Sequence, residues 1–188
     1  MRTAIATILA AAALAGCESS VQPSAATMIG YQVDGERNRS VWLTRDGVQI
    51  HGMSAQAVRL ELPGWIYVGE PYCPPALALG PNGEVVVTSN VIPTLWRIDA
   101  ETLAVTTHTL ALDSDQDKDV GFAAVVYAPE QGAYIAYSET TRSTWKVDAS
   151  LSGASKLAGN PVERPRSARA HYAGCAELGR RLGQPRID

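Results

Sequence analysis

The fold is decided by two stretches of the chain that follow the same plan. Residues 80–90 read GPNGEVVVTSN and lead to LWRID at 95–99, while residues 128–138 read APEQGAYIAYS and lead to TWKVD at 144–148. Each stretch contains a turn with Gly and Pro, a strand of β-branched or aromatic residues, a loop, and a second strand. The chain therefore repeats a unit of antiparallel β-structure.

The spacing between the two units is constant. Trp96 and Trp145 lie 49 residues apart, and so do Asp99 and Asp148. A degenerate earlier copy reads VWLTRDG at 41–47 and places a third tryptophan in the same register. A repeat of forty to fifty residues with several short strands per unit is typical of a β-propeller blade.

Short apolar, β-branched and aromatic runs separated by turn residues continue on both sides of these units. The pattern predicts strands at 29–33, 40–45, 48–51, 58–62, 65–68, 76–79, 84–89, 95–99, 105–110, 122–127, 133–138, 144–147 and 156–157. We therefore predict an all-β domain over residues 28–159, built as a small or incomplete β-propeller-like repeat domain, with a β-sandwich as the alternative.

Two segments carry a resemblance to a known group of proteins. VVTSN at 86–90 and WRIDAET at 96–102 resemble the YVTN-type repeats of bacterial secreted propellers, and are similar to quinoprotein-like and gluconolactonase-like propellers. The resemblance implies a propeller and extends over residues 74–157. In gluconolactonase-like propellers acidic and amide side chains hold a central metal, and Asn90 and Glu70 are the residues here that could take that role.

The number of blades leaves several arrangements open. Propellers usually close with at least four blades, whereas two good units and one degenerate unit are visible here. A further divergent blade could be hidden in the first section, or a second chain could complete the ring. The domain could also dock onto a larger partner, or the strands could form the sandwich.

The N-terminus resembles that of a bacterial lipoprotein. Arg2 precedes an apolar run too short to span a bilayer, and the run ends in LAGC at 14–17, which resembles a lipobox. The resemblance implies that residues 1–16 are a signal peptide, and that Cys17 receives a diacylglycerol and a fatty acid such as palmitate. An ordinary cleaved signal followed by a cysteine is the alternative. Glu18, where inner-membrane lipoproteins often have aspartate, favours the outer membrane, facing the periplasm.

Residues 17–27 are small and polar and predict a flexible tether between lipid and domain. Beyond the domain, residues 160–188 form a basic tail rich in Pro and Arg, with apolar spacing that predicts a short C-terminal helix. With Cys17 acylated, Cys73 and Cys175 remain, and in an oxidising compartment they could form a disulfide. Two unpaired thiols are the alternative.

One acidic loop could bind a metal ion. Its four carboxylates occupy alternate positions, which suits the hard oxygen ligands of calcium, although the EF-hand pattern fails because Lys118 and Ala124 stand where Gly and Glu are needed. A solvated acidic loop is the other interpretation, and no other cofactor is expected. The candidate ligands are Asp113, Asp115, Asp117 and Asp119.

Charge and motifs exclude some functions and favour others. The chain has 16 Lys and Arg against 19 Asp and Glu, a net charge of −3, which argues against nucleic acid as a partner. The chain contains neither a nucleophile elbow nor a Walker-type loop. We therefore expect a non-enzymatic, lipid-anchored protein-binding or scaffold module, held to the membrane through Cys17, with a protein partner or a second copy. The alternative is a propeller enzyme or small-ligand binder that uses a central channel.

Overall fold

The computed structural model describes residues 28–52, 56–113 and 120–158 together with Cys175. The described strands form three separate sheets, here called blades 1, 2 and 3. Blade 1 contains β1 (Met28–Asp34), β2 (Arg39–Thr44), β3 (Gly47–His51) and β4 (Val58–Leu60). Blade 2 contains β5 (Leu77–Leu79), β6 (Val85–Thr88), β7 (Thr94–Ile98) and β8 (Val105–Thr109). Both are antiparallel, with neighbouring strands in chain order.

Blade 3 repeats the same arrangement and adds one strand. Between blades 2 and 3 the chain forms the short strand β9 (Ala111–Leu112). Blade 3 then contains β10 (Ala124–Ala128), β11 (Ala133–Ser138), β12 (Ser143–Asp148) and β13 (Gly153–Lys156), with a 3-10 turn at Pro129–Gln131 between its first two strands. β9 pairs in parallel with β13 at the outer edge. The end of one unit is thereby joined to the last strand of the next.

The blades pack face to face like those of a propeller. β5 contacts both β1 and β10, so the first strands of the three blades lie together on the inner side. One apolar core lies between blades 1 and 2, and a second lies between blades 2 and 3. This arrangement confirms the prediction of an all-β, propeller-like fold, and it shows that the degenerate first unit is a complete four-stranded blade.

Each core is organised around one tryptophan of the repeat. Trp96 of β7 is 2% exposed and packs towards blade 1, with Trp65 in an edge-on contact at 5.2 Å between ring centroids. Trp145 of β12 is fully buried and packs towards blade 2, with Phe122 edge-on at 6.2 Å. The tryptophan of each unit therefore faces the preceding blade.

Arginine side chains of one blade donate hydrogen bonds to backbone carbonyls in the turns of the next blade. Arg39 of blade 1 donates to the carbonyl of Ala100 at 2.7 Å and to that of Gly83 at 2.9 Å, while Arg97 of blade 2 donates to the carbonyl of Ala149. Ala100 and Ala149 hold the same position in their units, four residues after the tryptophan. The two junctions are therefore joined by the same kind of polar contact.

The repeated aspartates hold the turns that contain these carbonyls. Asp99 accepts hydrogen bonds from the amide and hydroxyl of Thr102 at 2.7 and 2.8 Å, and these bonds lower the pKa of its carboxyl. Partial burial opposes ionisation of Asp148, but bonds from Ser150, Ser152 and Gly153 outweigh it and lower the pKa of Asp148 to about 2. The 49-residue spacing of the aspartates thus reflects one turn structure used twice.

Two expectations about individual strands were wrong. Residues 65–68 do not form a strand, because this segment lies beside Pro63 and Pro71 and its backbone is not paired in a ladder. Trp65 instead fills the first core, and its indole Nε1 donates to the carbonyl of Arg45 at 2.8 Å. The last strand begins at Gly153 rather than at residue 156, because Gly153 and Ala154 pair with β9.

Loss of the buried tryptophan of blade 3 should be far more costly than loss of its counterpart in blade 1. Trp145→Ala removes a fully buried ring, and we expect the free energy of unfolding to fall by about 3–5 kcal/mol. Trp42→Ala removes a partly exposed ring, and the expected loss is about 1–2 kcal/mol. Denaturant unfolding of the two variants measures the difference, and equal losses would contradict the assignment of Trp145 to an interblade core.

Candidate interaction surface

Several residues that the sequence singles out lie outside the described residues. They include Cys17, three of the four candidate calcium ligands, and the tail apart from Cys175. Cys175 itself has helical backbone, and the short C-terminal helix stays a prediction. Among the described residues no helix has the length and apolar character needed to cross a membrane.

The predicted cysteine pair is brought together. Cys73 and Cys175 form a disulfide bond with their Cα atoms 5.6 Å apart, across 102 residues of sequence. Cys73 is buried in the loop that leads to β5. Its backbone amide donates to Oε2 of Glu139 at 2.8 Å. The bond therefore fixes one residue of the C-terminal tail to the junction between blades 2 and 3.

Among the metal-ligand candidates that can be located, Asp113 and Asn90 are used for other contacts. Asp113 accepts a hydrogen bond from the backbone amide of Lys156 at 3.0 Å. The side-chain amide of Asn90 donates to the carbonyls of Val68 and Cys73 at 2.7 and 2.8 Å, and Glu70 is exposed. Within the described ranges no three His, Cys, Asp or Glu side chains are grouped to hold a metal ion. The calcium loop stays a prediction.

Asn90 shapes the fold in another way. Gly121 passes so close to it that a Cβ at Gly121 would lie 2.0 Å from the carbonyl carbon of Asn90. Next to this approach, the hydroxyl of Thr88 donates to the carbonyl of Phe122 at 2.6 Å. These contacts join the end of β6 to the segment that leads into β10, so Asn90 holds loops together.

A cleft of about 340 Å³ lies beside this region. It is formed by the loop that precedes β5 and by the turn between β11 and β12. The residues that line it are Pro71, Tyr72, Glu139, Thr140 and Arg142. The cleft has a charged pair of side chains of opposite sign and one aromatic wall, which suits a small polar ligand.

The first end of the row of blades is an open sheet face. Tyr31 and Trp42 pair across β1 and β2, and their rings lie 6.5 Å apart, while the ring of His51 lies 5.0 Å from that of Trp42. Val33, on the same face, is 64% exposed. In the described part of the chain no blade covers this surface, which we call the Trp42 face.

The Trp42 face also contains two buried polar atoms without hydrogen-bond partners, Oε1 of Gln49 and Nε2 of His51. Buried polar atoms in native proteins are nearly always paired, because an unpaired one loses its bonds to water without replacement. The Trp42 indole, by contrast, donates to the hydroxyl of Ser40 at 2.8 Å, just as Trp145 donates to Ser143 at 2.8 Å. Blade 1 thus keeps this feature of the repeat, although no described blade packs against the Trp42 face.

The opposite end is the outer face of blade 3. Val126 and Ile135 pair across β10 and β11 on this face and are partly exposed. Thr144 and Lys146 continue the face on β12 and are also partly exposed. None of these four residues belongs to either interblade core. We call this surface the Lys146 face; it is apolar on the inner strands and polar on the outer one.

The sequence contains a signal for the Lys146 face at one position of the repeat. The residue before the tryptophan is buried in blades 1 and 2, as Val41 and Leu95, and is Thr144 in blade 3. Among the described blades, the polar residue at that position belongs to the one whose second face is not part of an interblade core. What the sequence did not reveal is the direction in which each tryptophan points, because that depends on how the blades stack.

Comparison with solved structures agrees with the fold. Over 74% of this chain, the structure is similar to a catalytically inactive variant of virginiamycin B lyase from Staphylococcus aureus solved with quinupristin, with a TM-score of 0.55 and 13% identity. Over 76% of the chain, it is similar to the dihydro-heme d1 dehydrogenase NirN in complex with DHE, with a TM-score of 0.54 and 19% identity. Both neighbours are propeller-like.

The match covers only part of each neighbour. This chain spans 43% of the length of the lyase and 31% of that of the dehydrogenase. No protein-family model and no curated protein matches the sequence. At these identities the likeness shows the propeller-like fold alone.

Reduction of the disulfide should destabilise the protein. A bond that closes a loop of this length restricts the unfolded chain, and we expect its loss to lower the free energy of unfolding by about 2–4 kcal/mol. Thermal unfolding of the full chain with and without a thiol reductant measures the effect. The double variant Cys73→Ser, Cys175→Ser should melt like the reduced protein and no longer respond to reductant. A wild-type melting temperature that reductant does not change would contradict the bond.

Proposed function

We propose that this chain is a non-enzymatic, lipid-anchored module of the bacterial cell envelope that binds protein through the open ends of its row of blades. The observation that carries the binding part is the Trp42 face, where an aromatic cluster and two unpaired buried polar atoms meet no neighbouring blade within the described ranges. Partly exposed aromatic clusters of this kind are typical of protein interaction sites.

The anchoring part is supported by the sequence LAGC at 14–17. Acylation at Cys17 would hold the domain at a membrane without any spanning helix, because several buried acyl chains together bind a bilayer stably. The polar segment at 17–27 would let the domain stand away from the lipid surface. The cysteine pair suits export to an oxidising compartment, and Glu18 favours the periplasmic side of the outer membrane.

A second candidate function is that of an enzyme or small-ligand binder. The cleft lined by Tyr72, Glu139 and Arg142 favours it, since charged side chains beside an aromatic wall can orient a small polar molecule. Both structural neighbours are named as enzymes, which adds an analogy of fold only. The protein-binding proposal is preferred because the open faces continue the packing pattern of the repeat.

Lipid anchoring is tested with the full chain produced in a bacterium that processes lipoproteins. We expect mass spectrometry to find an acylated N-terminal peptide that begins at Cys17, and the protein to enter the detergent phase on Triton X-114 separation. Cys17→Ser should remain in the aqueous phase, because it lacks the acceptor thiol. Recovery of the wild-type protein with an intact residue 1 would contradict the proposal.

Protein binding is tested by placing a photo-crosslinking amino acid at Val33, which is exposed on the Trp42 face. Irradiation of intact cells should give a discrete protein adduct, because a bound neighbour lies against this side chain. The same probe at Thr107, exposed on β8 of the middle blade, serves as the matched control and should give no adduct. Equal labelling at both positions, or none at Val33, would overturn the assignment of the binding surface.

A further inference from the structure

The repeat gives the row of blades a direction. Trp96 and Trp145 each pack on the face of the preceding blade, where they meet apolar residues of its strands. Trp42 has the same register, and its indole donates to a serine two residues earlier, as the indole of Trp145 does. It therefore points to the place that a preceding blade would occupy. The described chain supplies no blade there.

The Lys146 face has the features of a surface that receives such a tryptophan. The face of blade 2 that receives Trp145 includes Ala78 and Val86, which pair across β5 and β6. The corresponding pair across β10 and β11 is Val126 and Ile135. The same kind of small and β-branched surface is therefore present at the end of the row, without a tryptophan packed on it from any described blade.

The charges at the two ends are complementary at one defined position. Arg97, one residue after its tryptophan, reaches a carbonyl four residues after the next tryptophan. The residue equivalent to Arg97 in blade 3 is Lys146, and the position four residues after Trp42 is Asp46. Asp46 is exposed, and within the described ranges neither Asp46 nor Lys146 forms an ion pair. A blade 3 placed before a blade 1 would bring this cation and this carboxylate together.

Blade number and symmetry point to the source of the missing neighbour. Closed propellers have about four to eight blades, so the three blades of the described residues are too few for a ring, and two copies of three are enough. A two-fold axis along the centre of the ring would make two identical junctions, each between the Trp42 face of one copy and the Lys146 face of the other. It would also place both Met28 residues on the same rim, towards one membrane.

We propose that two copies of this chain associate head to tail at two identical junctions and form a closed six-bladed ring. Each junction contains Trp42 of one copy against Val126 and Ile135 of the other, with Lys146 of the second copy paired to Asp46 of the first. This inference deepens the proposed function, because it identifies the bound protein as a second copy of the chain. The association of two copies does not depend on membrane anchoring through Cys17.

The full chain in detergent, at graded concentrations, provides the test by analytical ultracentrifugation. Wild type should be a dimer, and a carbodiimide should condense Lys146 of one copy with Asp46 of the other into an amide found by mass spectrometry. Lys146→Glu and Asp46→Lys should each raise the dimer dissociation constant about tenfold, since each brings like charges together at two junctions. The double reversal should restore dimerisation. Trp42→Ala should raise the constant about thirtyfold or more.

A matched control is Thr107→Glu, which introduces an exposed charge on β8 of the middle blade, away from both end faces, and should leave the dimer unchanged. A monomer at every concentration would overturn the ring, and so would a dimer that both charge reversals leave intact. Neither result bears on acylation of Cys17. If the protein is monomeric while the Val33 probe captures a different protein, the proposed binding function stands and the second copy is excluded.

Discussion

The structure depends on the packing of one tryptophan per repeat against the face of the blade before it. Trp96 and Trp145 fill the two junctions between blades, and the strands around them supply surfaces of valine, leucine, isoleucine and alanine. Burial of a large ring on each junction compensates for the small size of the individual sheets, which are too thin to hold a core of their own. The arginine contacts to the turn carbonyls then fix the relative position of neighbouring blades.

Much of this fold could be predicted from the sequence because the repeat has a constant period. The spacing of Trp96 and Trp145 identified two blades, and the degenerate copy around Trp42 marked the third. The prediction failed where local composition and tertiary context disagree. Residues 65–68 have strand-forming composition, yet Trp65 is needed in the interblade core and the nearby prolines interrupt pairing. β9 was missed because two residues carry too little pattern to be recognised.

The candidate surface was less accessible to sequence reasoning than the fold. The sequence around Trp42 does not show that this residue is partly exposed while its two counterparts are buried, because all three tryptophans have similar neighbours in sequence. That difference arises only from the end of a stack. Asn90 illustrates the reverse case: its chemistry suited a metal site, but the structure uses its amide to hold two loop carbonyls. A polar side chain in a buried loop is often needed to form hydrogen bonds with backbone groups that would otherwise have no partner.

A row of blades with two different ends has a consequence for growth. A head-to-tail contact leaves the same two ends free each time another copy is added. The rotation angle from one blade to the next therefore determines whether a closed ring or an open filament forms. If three blades cover half a turn of the ring, a second copy contacts the first at both ends and the assembly is closed. If they cover slightly less or more than half a turn, the ends do not meet and further copies can add to form an open filament. The contacts of Arg39 and Arg97 between neighbouring blades, which fix the angle between them, would then decide between these two outcomes.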